Sequence, residues 1–143
     1  MDAKVQLLLA NSVSELGPAL DRIESVLTET GADDQIVFRI RLALDELLTN
    51  SITHGFPQGG EHEIRIDLML DPDHVAVDII DDGLPFDPFQ PRQVDIDAPI
   101  EERAIGGLGL HFVRELIPEL SYRRVGDHNI VSLASPLQQV AGG

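Results

Sequence analysis

Apolar and polar positions alternate along this chain in patterns that separate strands from helices. Lys4 to Ala10 carries a continuous apolar run and predicts a short strand. Leu16, Leu20, Ile23, Val26 and Leu27 then recur at helical spacing and predict a helix from about Val13 to Thr30. Asn11 or Ser12 is its expected cap, Pro18 lies in its first turn and Gly31 ends it. A longer helical pattern starts at Asp33 or Asp34 and runs to about His54, on Ile36, Ile40, Ala43, Leu44, Leu47, Leu48 and Ile52. The glycine-rich stretch from Gly55 to Gly60 breaks it.

Two strands follow, near His62 to Leu70 and His74 to Ile80. In the first, Ile64, Ile66, Leu68 and Leu70 alternate with Glu63, Arg65, Asp67 and Met69, so one face is buried. Asp81 to Ile105 holds four of the nine prolines and has no clear periodicity, the mark of a long loop that is functional or mobile. A helix from about Leu108 to Leu116 ends at Pro118. The segments Leu120 to Val125 and Asn129 to Ala134 form a hairpin around Gly126 and Asp127, and residues 135–143 read as a frayed tail. This order implies an α+β fold, a two-layer sandwich of a mostly antiparallel mixed sheet covered on one face by helices. With 143 residues and no linker or repeat, one domain over 1–143 is expected.

Composition narrows the chemistry. There is no cysteine, which excludes disulfides, thiolate metal sites and cysteine nucleophiles. No apolar run is long enough to span a bilayer and the start lacks a signal-type segment, so a cytoplasmic protein is expected. Twenty-five acidic against ten basic side chains give a formal net charge of −15, with Lys4 the only lysine. Such a surface repels phosphate backbones and anionic lipid, which argues against direct nucleic acid or membrane binding.

Three short stretches carry candidate chemistry. Glu46 and Asn50 are four apart on the long helix and share a face. Asparagine offers Mg²⁺ a neutral oxygen, and the glutamate can accept a proton from a hydroxyl beside a γ-phosphate. Read alone, the pair fits an ordinary polar face better than a site, and His54 one turn further on reads as structural. Asp81 ends an apolar strand, and its acceptor-only carboxylate suits the exocyclic amine of adenine. Gly83 permits a sharp turn and close approach of a flat base. The competing reading is a plain Asp-Asp-Gly turn. Gly106, Gly107, Leu108, Gly109 and Leu110 open a helix whose first amides can bind phosphate, or else form a flexible hinge. No Lys-Ser/Thr follows these glycines and no βαβ unit contains them, so neither a Walker loop nor a dinucleotide fingerprint fits. With no lysine in these stretches, the charge of ATP falls to a divalent cation, backbone amides and Arg103.

Taken together, the stretches resemble the GHKL ATPase superfamily, and within it the anti-sigma-factor serine/threonine kinases. Leu42 to Gly55 resembles the N box, Asp81 to Pro88 the G1 box and Gly106 to Arg114 the G2 box. Tyr122 to Asn129, followed by an apolar strand, is also similar to that group. The resemblance implies a Bergerat-type fold with Mg·ATP beneath a lid formed by Asp81 to Ile105. It implies Asn50 as Mg²⁺ ligand, Glu46 as catalytic base, Asp81 and Gly83 as adenine readers, and Gly107, Gly109 and Leu110 as phosphate cradle. It further implies a homodimer that holds a sigma factor and phosphorylates a serine on an antagonist protein. Pro85 stands where many superfamily members have a second glycine, a form common in the anti-sigma subgroup. Arg92 and Arg103 are the cationic candidates in the lid. Two other readings fit the same residues: a non-catalytic ATP-gated binding module, and the separate ATP-binding domain of a split histidine kinase.

Overall fold

The computed structural model describes residues 3–56, 59–89 and 113–138. Strand β1 (Ala3–Ala10) leads through a 3-10 turn (Val13–Glu15) into helix α1 (Leu16–Glu29) and helix α2 (Asp34–Gly55). Strands β2 (Glu63–Leu70), β3 (His74–Asp81), β4 (Glu119–Val125) and β5 (His128–Pro136) complete a five-stranded sheet. Its order is β1-β2-β3-β5-β4 and every pairing is antiparallel, so the mixed character expected of the sheet is not found among the described strands.

The first helix begins later than its periodicity predicts. Ser12 is extended and no side chain caps the 3-10 turn or α1. Asn11 is committed elsewhere: its Oδ1 accepts the His62 N–H at 3.1 Å and its Nδ2 donates to Gly60 O at 3.2 Å. Without a cap, the segment winds through a 3-10 turn before Leu16. The far end follows expectation. Gly31 takes φ of +86°, and the Ala32 N–H reaches back to Leu27 O at 3.1 Å.

Both helices bury the stripe their spacing foretold. Leu20, Ile23 and Leu27 of α1 meet Ile40, Leu44, Leu47 and Leu48 of α2 in one core with Ile64, Ile66, Leu68, Val77 and Ile79 of the sheet. Arg41 of α2 donates to Asp21 at 2.8 Å and Glu24 at 2.7 Å on α1, a partly exposed tie that adds little to this burial.

Polar residues cross the opposite face of the sheet in one row. Gln6, Asp67, Asp78 and Ser132 lie side by side in register. Asp67 is buried, and its Oδ1 accepts from Gln6 at 3.0 Å and faces Arg65 Nε at 3.4 Å. Ser132 donates to Asp78 at 2.6 Å, so each carboxylate has a donor despite its like-charged neighbour.

The start of the expected frayed tail is built into the sheet. Ser135 and Pro136 pair with Val75 and His74. Leu137 is 2% exposed; its N–H donates to Asp73 O and its carbonyl accepts from Asp33 N–H at the head of α2. A buried leucine and two backbone bonds hold this segment, a long-range arrangement that local composition does not reveal. Residues 139–143 lie outside the described residues.

Candidate functional site

Two elements bring polar groups to one end of the sheet. The last turns of α2 carry Asn50, Ser51 and Gly55, and the end of β3 carries Asp81. With Phe86, Pro88, Asn129 and Val131 these residues line a narrow cavity at that end of the sheet. A wider hollow of about 600 Å³ lies on the opposite face of the sheet, lined by Lys4, Asp71, His74 and Glu119 among others. It is shallow and open, and it holds no buried carboxylate, so size does not make it the better candidate.

Asp81 is 4% exposed, on a central strand. Its Oδ1 accepts the Gly83 N–H at 2.9 Å, closing a two-residue Asx turn, and Nδ2 of Asn129 at 3.0 Å. Its Oδ2 has no hydrogen-bond partner among the described residues. A buried carboxylate oxygen left that way is costly, and a ligand N–H would satisfy it.

The turn after Asp81 is clamped from both sides. From α2, Gly55 O accepts the Leu84 N–H at 2.9 Å. From the terminal hairpin, Arg124 donates to Gly83 O at 2.7 Å and Asn129 donates to Leu84 O at 2.8 Å. A Cβ built on Gly83 would stand 2.6 Å from Gly55 O, so this glycine is demanded by the helix packed against it. Gly83 lies in the turn without a positive φ, so the demand for glycine there is steric. His54 stacks on Phe86 at 5.4 Å between ring centres, and His62 stacks on Phe56 while facing Asp82 at 3.1 Å.

Asn50 lines the cavity, half-buried, and its amide makes no side-chain hydrogen bond among the described residues. Its carbonyl oxygen is therefore available to a hard cation. No cluster of three acidic or histidine side chains suited to a metal occurs among the described residues. That donor set fits Mg²⁺ arriving with substrate phosphates and does not fit an all-protein metal cage. Glu46, half-buried one turn back on α2, is not among the residues lining the cavity. Pro85 lies in the clamped turn but not on the lining. Arg92, Arg103, Gly106, Gly107, Leu108, Gly109 and Leu110 lie outside the described residues. Beyond them, residues 113–116 form a helical turn whose Val113 packs into the core together with Ile117.

Residues 9–135 match the histidine kinase-like ATPase domain family. The chain belongs to that family. ATP binding is what this membership implies, and the paired helices over an antiparallel sheet agree with it. Among relatives, the chain is 27% identical over 136 residues to the serine/threonine-protein kinase BtrW of Bordetella bronchiseptica, covering 94% of this chain and 96% of that protein. It is 26% identical over 135 residues to the serine-protein kinase RsbW of Bacillus subtilis, covering 91% and 73% respectively. Among solved structures, the RsbU and RsbW domains of a Mycobacterium tuberculosis protein superpose with a TM-score of 0.63 at 18% identity. The match covers 97% of this chain but only 35% of the larger one, and it bears on the fold alone. A histidine kinase domain from the Erythrobacter litoralis blue-light activated kinase EL346 gives a TM-score of 0.53 at 26% identity, covering 85% of this chain and 61% of that one.

Sequence reasoning missed Ser51, Gly55, Phe86, Pro88, Asn129 and Val131 as lining residues. Asn129 had a signal: it closes the Tyr122 to Asn129 stretch that resembles the family, although no role was attached to it. No described helix is long and apolar enough to cross a membrane.

Proposed function

We propose that this chain is an ATP-dependent protein serine/threonine kinase acting as an anti-sigma regulatory factor. The observation that carries the reading is the buried Asp81 carboxylate, with one oxygen held and the other open to a donor beside Asn50. An acceptor-only group at that depth selects the exocyclic amine of adenine over a carbonyl at the same ring position.

In this reading Asn50 is the protein ligand of Mg²⁺, which when bound supplies charge neutralisation for the phosphates. Gly106, Gly107, Leu108, Gly109 and Leu110, with Arg103, take the phosphates. Glu46 removes the proton from a substrate serine hydroxyl. That oxygen forms a bond to the γ-phosphorus as the bond to the bridging β,γ-oxygen breaks, leaving ADP and phosphoserine. The kinase names of the relatives support the reaction class. The family resemblance supports a sigma factor and an antagonist protein as partners, and a homodimer as the working unit.

A second reading has an observation behind it. Glu46 stands apart from the lining of the cavity, as in a module that binds ATP only to change a partner surface. Calorimetry with ATP and Mg²⁺, followed by transfer of labelled phosphate to an antagonist protein, separates the two. Binding with acid-stable label on serine supports the kinase. Binding without transfer supports the module, and no binding to a folded chain removes both.

A further inference from the structure

Asn129 is the most heavily bonded side chain near the cavity, and nothing in the proposed chemistry uses it. It opens the interior of β5 directly opposite Asp81 and is 3% exposed. Its Nδ2 faces three oxygens: Leu84 O at 2.8 Å, Asp81 Oδ1 at 3.0 Å and Gly83 O at 3.4 Å. Its Oδ1 faces two donors, the Tyr122 hydroxyl at 2.6 Å and the Phe86 N–H at 3.3 Å.

This environment admits only one orientation of the amide. Turned over, the carboxamide oxygen would face a carboxylate and two carbonyls, and its NH₂ would face the Phe86 N–H, which can only donate. Tyr122 donates its phenolic proton to Oδ1 at 2.6 Å and anchors that end of the amide, while the Phe86 N–H and the facing oxygens select its orientation. Leucine at position 129 would match the size and make none of these bonds, while Asp81 Oδ1 would keep the Gly83 N–H and Gly83 O would keep Arg124. Aspartate would match the shape but set a second carboxylate 3.0 Å from Asp81 Oδ1.

We propose that Asn129, anchored by Tyr122, is a positioning residue that occupies one oxygen of Asp81 and the carbonyls of the following turn, so that a single carboxylate oxygen is presented to the base. The inference rests on Asp81 being the adenine acceptor. Asn129 acts through Asp81 and touches no reacting atom. Its effect therefore falls on base discrimination, whereas a residue that only holds the fold would change stability and leave discrimination alone.

The experiment uses the full chain and its Asn129→Asp and Tyr122→Phe variants. Calorimetry compares ATP with inosine triphosphate, which carries a carbonyl in place of the amine, from pH 5.5 to 8.5. Taking the ratio of the two affinities cancels the titration of the triphosphate itself. The wild type is expected to prefer ATP by at least about 10-fold, with little pH dependence. In Asn129→Asp one of the two facing carboxyls must hold a proton. Its ATP preference should approach the wild-type ratio at low pH, where the new carboxyl can donate, and fall at least about 10-fold as pH rises. Tyr122→Phe should lose about 3-fold in the ratio at every pH, with inosine triphosphate affinity unchanged. Circular dichroism checks folding at each pH; should Asn129→Asp unfold, Tyr122→Phe decides. If the folded variants keep the wild-type ratio throughout, the positioning role is wrong while the adenine site stands. If the wild type itself fails to distinguish the two nucleotides, the reading of Asp81 fails and this inference with it.

Discussion

Gly83 touches the end of α2 so closely that it has no room for a side chain: a Cβ there would lie 2.6 Å from the carbonyl oxygen of Gly55. The contact joins the helix bearing Asn50 to the turn that follows Asp81, and the adjoining Leu84 N–H bonds to that same oxygen. Gly83→Ala must push the two apart. It should cost about 1–3 kcal/mol in urea unfolding and weaken ATP binding as well. Gly55→Ala is the control, because a Cβ at that position meets nothing nearer than the Gly83 Cα at 4.0 Å. It should stay within about 0.5 kcal/mol of the wild type. Equal losses in both variants would contradict the steric account.

Asp81→Asn keeps the shape of the side chain and changes what it offers. The carbonyl oxygen can retain the bonds to Gly83 N–H and Asn129, which turns an NH₂ toward the ligand in place of an acceptor. The ATP dissociation constant should rise about 10- to 100-fold, corresponding to the loss of a hydrogen bond to a charged group. Inosine triphosphate should bind better than it does to the wild type. Calorimetry reads both, and an unchanged ATP affinity would remove Asp81 from the site.

Glu46 and Asn50 should separate in kinetics. Glu46→Gln is expected to lower phosphate transfer about 10²- to 10⁴-fold while the ATP affinity holds. Asn50→Ala should weaken nucleotide binding in the presence of Mg²⁺ and have a smaller effect without it. Single-turnover transfer and calorimetry with and without the metal distinguish these outcomes. Normal transfer by Glu46→Gln would leave the ATP-gated module as the better reading.

Leu137 tests whether the end of the described chain supports the fold. It is 2% exposed and lies between the β2–β3 turn and the head of α2. Leu137→Ala should cost about 2–4 kcal/mol by thermal or urea unfolding. Gln138→Ala removes only an exposed bond to Gly31 O and should cost about 0.5 kcal/mol or less. Two equally mild variants would mean the segment is dispensable.

Asp71 gives the fold a weak acid sensitivity. Its Oδ1 accepts the backbone N–H groups of Asp73 and His74, each at 2.7 Å, and these bonds lower its pKa below the ordinary 3.8. A carboxylate that is more acidic when folded stabilises the protein above its unfolded pKa, and that contribution fades as pH falls through the folded value. Asp71→Asn should therefore flatten the loss of stability below about pH 4, with little change in shape at neutral pH. Urea midpoints measured from pH 2.5 to 7 test it. Identical acid limbs for the two proteins would rule the turn out as a contributor.

The helices, the hairpins and the buried faces were readable because each rests on local chemistry. The stripe Ile36, Ile40, Leu44, Leu47 of α2 repeats within a few turns, and Gly31 and the Gly126-Asp127 turn end their elements by backbone conformation alone. Where a distant partner competed, the local reading failed. Asn11 is a good cap by composition, yet its amide is spent on the loop at Gly60 and His62, so α1 starts late. Leu137 follows a strand and precedes glycines, and only its burial between two remote segments makes it structural.

By itself, the amino-acid order determined which segments are helix or strand, which faces are apolar, and that Asn50 lies in the last turns of a helix and Asp81 at the end of a strand. Those properties depend on neighbours a few residues away. The tertiary structure alone decided that Asp81 sits opposite Asn129, that Gly83 meets Gly55, and that Asp81 keeps one oxygen without a partner among the described residues. Each of those depends on strand register and on how a helix end docks against a sheet. Register is set by the sum of many cross-strand contacts, and no single stretch of the chain contains that sum.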